Sequence, residues 1–213
     1  MIWNLHSLIL TVSAVLLGTA AWPTVSNTAS SDEARPMQAD SCMNTLTTPS
    51  ADKEALTMNP TNKVTPFLMF NDQLEAALEF YTATFPNSKV VNASRSGKDG
   101  PMSSAEFVIG GQTFFGFNGG PHFKFSEAYS MFVDCKDQAE VDLYWDKLLK
   151  AGAKPTQCGW INDPYGLSWQ IVPRRFMELM ADKDPKKVKA VIDAMLKMQK
   201  LDVAALERAY ANA

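Results

Sequence analysis

TPFLMFNDQLEAALEFYTATFPNSKV (65–90) can be laid on SMFVDCKDQAEVDLYWDKLLKAGAKP (130–155) without a gap. Phe67 then meets Phe132, Asp72 meets Asp137, Gln73 meets Gln138, Glu75 meets Glu140, Leu78 meets Leu143 and Lys89 meets Lys154, while Phe80 lands on Trp145. Each copy reads as a short strand followed by an Asp suited to capping a helix. In the second copy Val141, Tyr144, Trp145 and Leu148 recur at helical spacing, which makes them a core stripe.

Strand-like runs follow each helix. In the first half they are 88–96, 103–110 and 112–118, with the Gly110-Gly111 pair making a tight hairpin between the last two. In the second half KPTQCGWI (154–161) leads through an Asn162-Asp163-Pro164 turn to GLSWQIV (166–172). GQTFFGF (111–117) matches GLSWQIV, placing Thr113 on Ser168, Phe114 on Trp169 and Phe115 on Gln170. Two strand–helix–strands units, over about 63–120 and 127–173, predict a pseudo-twofold α+β domain spanning 63–173. A helical tail over 174–213 follows. Asp184-Pro185 opens one helix with Val188, Val191, Ile192, Met195 and Leu196 on a stripe, and Leu201–Tyr210 supplies another. Met177, Met180, Met195 and Met198 are available for packing within the chain or against a second subunit.

Outside this domain the chain changes character. Residues 8–17, LILTVSAVLL, are an apolar run too short for a comfortable membrane span, and small residues Gly18, Thr19, Ala20 and Ala21 follow. Residues 1–21 therefore read as a signal peptide cleaved near Ala20 or Ala21, giving an exported protein. An uncleaved membrane anchor is the rival, because no Lys or Arg precedes the run. Residues 22–60 are rich in Ser, Thr and Ala without apolar periodicity, as a disordered linker would be. Translation from Met58 would instead give a cytoplasmic protein.

The net charge of -3 and the absence of a basic stripe argue against nucleic acid as a partner. The three cysteines, Cys42, Cys135 and Cys158, form neither a disulfide framework nor a metal-binding pair.

The duplicated pattern resembles the vicinal-oxygen-chelate superfamily, which includes glyoxalase I, bleomycin-resistance proteins and extradiol dioxygenases. TPFLMFN, GGPHFKFSEAYSMFVDC, DQAEVDLYWDKL and CGWINDPYGLSWQIVP resemble its PhnB-like branch in particular, whose members often carry a demethylubiquinone methyltransferase label. The resemblance implies duplicated βαβββ units forming a cleft of curved sheets, often completed by homodimerisation. It also implies metal ligands, commonly His and Glu, on the first and last strands of each unit. Carried onto this sequence, those positions are Thr65 and Phe115 in the first unit and Ser130 and Gln170 in the second. Two hydroxyls, an amide and a phenyl ring do not suit a divalent first-row metal. The folded domain holds one histidine, His122, in a loop after the fourth strand.

The expectation is therefore a cleft without a metal or other cofactor, with Thr65, Phe67, Phe115, Phe117, Ser130, Phe132, Ser168 and Gln170 available to a small aromatic or amphipathic ligand. Gln170 shares a strand face with Ser168 and Val172, opposite Trp169 and Ile171. A neutral amide is cheaper to desolvate there than a carboxylate lacking a metal, and it can both donate and accept. The alternative is a metal-independent isomerase, lyase or hydrolase, with Glu106 and His122 as catalytic candidates. Asp163, before a proline, reads as turn chemistry. Methyl transfer of the usual kind would need a Gly-rich loop opening a helix. The close glycines, Gly110-Gly111 and Gly119-Gly120, do not provide one.

Overall fold

The computed structural model describes residues 63–213; the leader and linker expected over 1–60 lie outside the described residues. The first unit runs β1 (Phe67–Phe70), α1 (Leu74–Thr84), β2 (Lys89–Arg95), β3 (Met102–Ile109) and β4 (Gln112–Asn118), forming a sheet of order β1-β4-β3-β2. The second runs β5 (Ser130–Cys135), α2 (Gln138–Lys150), β6 (Lys154–Pro155), β7 (Trp160–Asn162) and β8 (Ser168–Pro173), with order β5-β8-β7-β6. Each unit is βαβββ, and its first strand lies parallel to its last. The tail adds α3 (Arg174–Met180), α4 (Pro185–Met195) and α5 (Val203–Ala211).

The repeat and the strand register agree. Phe67 pairs with Phe115 across β1 and β4, and Phe132 pairs with Gln170 across β5 and β8. These are the pairs that the two sequence matches superimpose. Gly110 and Gly111 close the β3–β4 hairpin at φ 57° and 87°, backbone that glycine adopts without a Cβ penalty. In mid-β4 a Cβ on Gly116 would lie 2.7 Å from Leu74 Cδ1, so the residue lets α1 settle close on its sheet.

Three details depart from the sequence reading. First, the gapless match fails across the helices. The buried positions of α1 are Leu74, Ala77, Leu78, Tyr81 and Thr84, whereas those of α2 are Val141, Tyr144, Trp145 and Leu148. Leu78 thus corresponds in burial to Trp145, two residues past its sequence match Leu143, which is 49% exposed. Second, Asp137 caps α2 by accepting from Glu140 N, but Asp72 caps nothing. The first amide of α1, Leu74 N, donates instead to Asn118 Oδ1 of β4 at 3.0 Å. Third, 154–161 is not one strand. It turns at Gln157–Gly159, with Cys158 at φ 60° and Gly159 at φ 84°, so that Thr156 N reaches Trp160 O at 2.9 Å.

The core joins both units. Phe85, at the end of α1, stacks on Trp169 of β8 at 4.5 Å and 12° and also on Tyr144 of α2 at 5.2 Å. Such pairs add about 0.5–1.5 kcal/mol each beyond the area they bury. The tail is tied on by Gln138, whose amide donates to Leu201 O and accepts from Val203 N. Asp184 caps α4 and Asp202 caps α5, each accepting one backbone amide. Met195 is buried within the chain, and Met177 is exposed.

Candidate functional site

Strand alternation gives each sheet a face turned to the helices and a face turned away. In the first sheet Phe107 and Phe114 pair across β3 and β4 and stack at 5.6 Å on the helix side. Phe115, Phe117 and Glu106 therefore take the opposite side. The registers Phe67–Phe115, Phe115–Glu106 and Glu106–Asn92 set four side chains in one row across that outer face. The second sheet repeats the row as Phe132–Gln170–Trp160, with Trp169 and Ile171 buried on its helix side.

Within these rows the contacts are local. Phe67 and Phe115 lie 6.5 Å apart between ring centroids. Gln170 Nε2 donates to Ser130 Oγ at 2.7 Å, and Ser168 Oγ donates to Asn162 Oδ1 at 3.0 Å. Thr65 lies half-buried just before β1. Glu106, one of the catalytic candidates, sits on the same face as Phe115, is only 7% exposed, and accepts from Asn92 Nδ2 at 3.2 Å. A buried carboxylate at mid-sheet is unusual without a charged partner. His122, the other candidate, lies exposed in the loop between β4 and β5.

Exposure varies along these rows, and Phe115 at the centre is only 5% exposed. Phe67 and Phe132 are each 52% exposed, and Phe117 is 36% exposed. The reason is the packing of α1 and α2 around Trp169, which uses the helix sides of the sheets and leaves the aromatic rows facing outward. A surface groove of about 340 Å³ runs beside β1, lined among others by Phe67, Met69, Phe123 and Tyr129. It meets the row at Phe67.

The donor set at the positions that the sequence resemblance marks for metal ligands does not fit a divalent metal. It comprises Thr65, Phe115, Ser130 and Gln170, and the last two are hydrogen-bonded to each other. Among the described residues, no group of three or more His, Cys, Asp or Glu is placed to hold a metal ion.

Sequence reasoning missed Asn92 and Trp160, which complete the rows. Their place comes from the strand register, which sets Trp160 opposite Gln170 and Asn92 opposite Glu106. It also understated Asp163. That carboxylate does organise its turn, accepting from Tyr165 N and Leu167 N at 2.9 Å each. It accepts as well from Tyr81 Oη at 2.6 Å and from Trp169 Nε1 at 2.9 Å, linking α1 to β8. Burial pushes the Asp163 pKa up against the pull of these donors, and burial beside the carboxylate holds the Tyr81 phenol well above its ordinary value.

Comparison with known proteins places this arrangement. Residues 62–172 match the family model described as 3-demethylubiquinone-9 3-methyltransferase. A putative 3-demethylubiquinone-9 3-methyltransferase, PhnB protein, from Bacillus cereus is 34% identical, with 51% of this chain and 97% of that one covered and a TM-score of 0.47. The fosfomycin resistance protein of Listeria monocytogenes, solved with Mn(II) and sulfate, is 16% identical over 52% of this chain and 90% of its own, with a TM-score of 0.41. A glyoxylase/bleomycin resistance protein/dioxygenase domain from Frankia is 18% identical over 52% and 95%, with a TM-score of 0.37. No curated protein matches the chain. With more than half its length matched by one family model, the chain belongs to the PhnB-like 3-demethylubiquinone-9 3-methyltransferase family.

Proposed function

We propose that this protein binds or sequesters a small aromatic or amphipathic molecule on the outer faces of its sheets and does so without a metal centre. The observation that carries this reading is the Gln170–Ser130 hydrogen bond at 2.7 Å, set where relatives hold metal ligands and flanked by Phe132. An amide tied to a hydroxyl offers one acceptor and one spare donor to an organic ligand, and weak ligation to a metal. The aromatic rows supply apolar area for stacking. A second subunit laid over Phe67 and Phe132 would turn the open rows into a closed site, so a homodimer is part of the proposal. So is export directed by residues 1–21.

The second reading, a metal-independent isomerase, lyase or hydrolase, is favoured by the burial of Glu106 on the same face as Phe115. We do not extend the methyltransferase of the family description to this chain. Gly110-Gly111 turns a hairpin and Gly119-Gly120 leads into a loop, so neither pair opens a helix.

The test is a small-molecule screen by ligand-observed NMR on the purified protein, followed by Gln170→Ala and Phe132→Ala. Aromatic hits weakened severalfold by either change support the binding reading. A screen in which no aromatic compound binds, or in which both variants bind as the parent does, contradicts it. Turnover lost in Glu106→Gln would shift the assignment to the enzyme.

A further inference from the structure

The outer face of the first sheet holds a carboxylate, Glu106, that forms no ion pair among the described residues. Glu106 is 7% exposed at the centre of the row Phe67–Phe115–Glu106–Asn92, and its described hydrogen bond comes from the neutral amide of Asn92. Among the described residues, no Lys, Arg or His forms an ion pair with it. The ion pairs of these residues involve Arg95, Arg174, Arg175, Lys189 and Lys200, with other carboxylates. Elsewhere on this sheet face Ser104, Val108 and Thr113 are uncharged, and Lys89, which pairs with Val108, is exposed and makes no ion pair with Glu106.

A carboxylate taken out of water without a cation is costly, and its cost is relieved when a cation arrives. The rings beside it act in the same direction. Phe115 occupies the neighbouring strand position, and Phe67, 6.5 Å beyond, leaves half its surface open. Aromatic faces attract a cation within about 6 Å of the ring centroid. An anionic ligand would meet both the carboxylate and the negative side of the rings, whereas a neutral one would gain the stacking alone.

We propose that the ligand taken by this face is an organic cation, an amine or quaternary ammonium carrying an aromatic or alkyl body, with its charged nitrogen at Glu106 and its body along Phe115 and Phe67. The proposal rests on the small-molecule-binding reading above and adds to it the sign of the ligand's charge. It also gives Asn92 a role, since its amide holds one carboxylate oxygen and steers the other toward the incoming nitrogen.

The test uses three probes of one shape: benzyltrimethylammonium, its neutral carbon isostere neopentylbenzene, and phenylacetate as an anion. Each is titrated by NMR against the full chain and against Glu106→Gln, with near-UV circular dichroism checking that the variant is folded. The expected result is that the ammonium binds roughly tenfold more tightly than the neutral isostere, the scale of one desolvated ion pair with a cation–π contact. Phenylacetate should bind more weakly than both, and in Glu106→Gln the advantage of the ammonium should disappear. Resonances of Asn92 and Phe115 should move with the ammonium. Equal binding of the ammonium and neutral probes, or a preference for ammonium that survives in Glu106→Gln, overturns the charge assignment while leaving the binding reading standing. Failure of all three probes to bind removes both.

Discussion

Tyr81 and Trp169 both donate to one oxygen of Asp163, at 2.6 and 2.9 Å, so a single buried carboxylate couples α1 of the first repeat unit to β8 of the second. The same β8 carries Gln170 on its other face. The strand that presents the candidate site is thus held from behind by a contact between the units.

Asp163→Asn keeps the shape of that residue but replaces an acceptor with a donor. Tyr81 can rotate its hydroxyl away, but the Trp169 N–H cannot. Leaving one or two buried donors unsatisfied should cost about 2–4 kcal/mol. Urea unfolding of the variant and of Tyr81→Phe measures this, and a double-mutant cycle should show the two changes to be non-additive.

The helices offer a sharper contrast. Leu78 and Leu143 are matched by the sequence repeat, yet one is 1% exposed and the other 49%. Leu78→Ala should lose about 2–5 kcal/mol through lost burial and a cavity. Leu143→Ala should stay within about 0.5 kcal/mol of the parent. Equal losses would restore the gapless match across the helices.

Alkali should unfold this protein earlier than acid groups alone would suggest. Burial pushes the Cys135 thiol up to about 12, and burial with the Asp163 carboxylate raises the Tyr81 phenol well above its usual value. Both groups keep their protons in the folded chain at a pH where the unfolded chain releases them. The stability they contribute is therefore complete below the unfolded values, near 9 and 10, and is lost as pH rises toward the folded ones. Melting temperature should fall steadily above about pH 9. Peptide mapping after alkylation at pH 8 should show Cys158, half-buried, labelled ahead of Cys135.

The sequence made the strands legible because the repeat marks both members of each parallel pair. It matched Phe67 to Phe132 and Phe115 to Gln170, and the structure then paired Phe67 with Phe115 and Phe132 with Gln170. The helix phase was not legible. The identities that drove the match, Asp72, Gln73 and Glu75, fall at a helix start where the two units cap differently, one from Asp137 and the other from Asn118. Asp163 looked like a turn residue because its turn partners are local, whereas Tyr81 lies 82 residues away. The outer-face position of Gln170 could be read from alternation. The openness of Phe67 and Phe132 could not, since aromatic residues occupy both faces of these sheets and only packing decides which face the helices cover.

The central claim is a site without a metal, built around Gln170 and Ser130. Native mass spectrometry of the purified protein, with elemental analysis of the same sample, tests it most directly. The account predicts less than stoichiometric zinc, nickel, manganese and iron, unchanged by added metal, together with a retained small organic adduct. One tightly held metal ion per chain, released by Gln170→Ala, would contradict it.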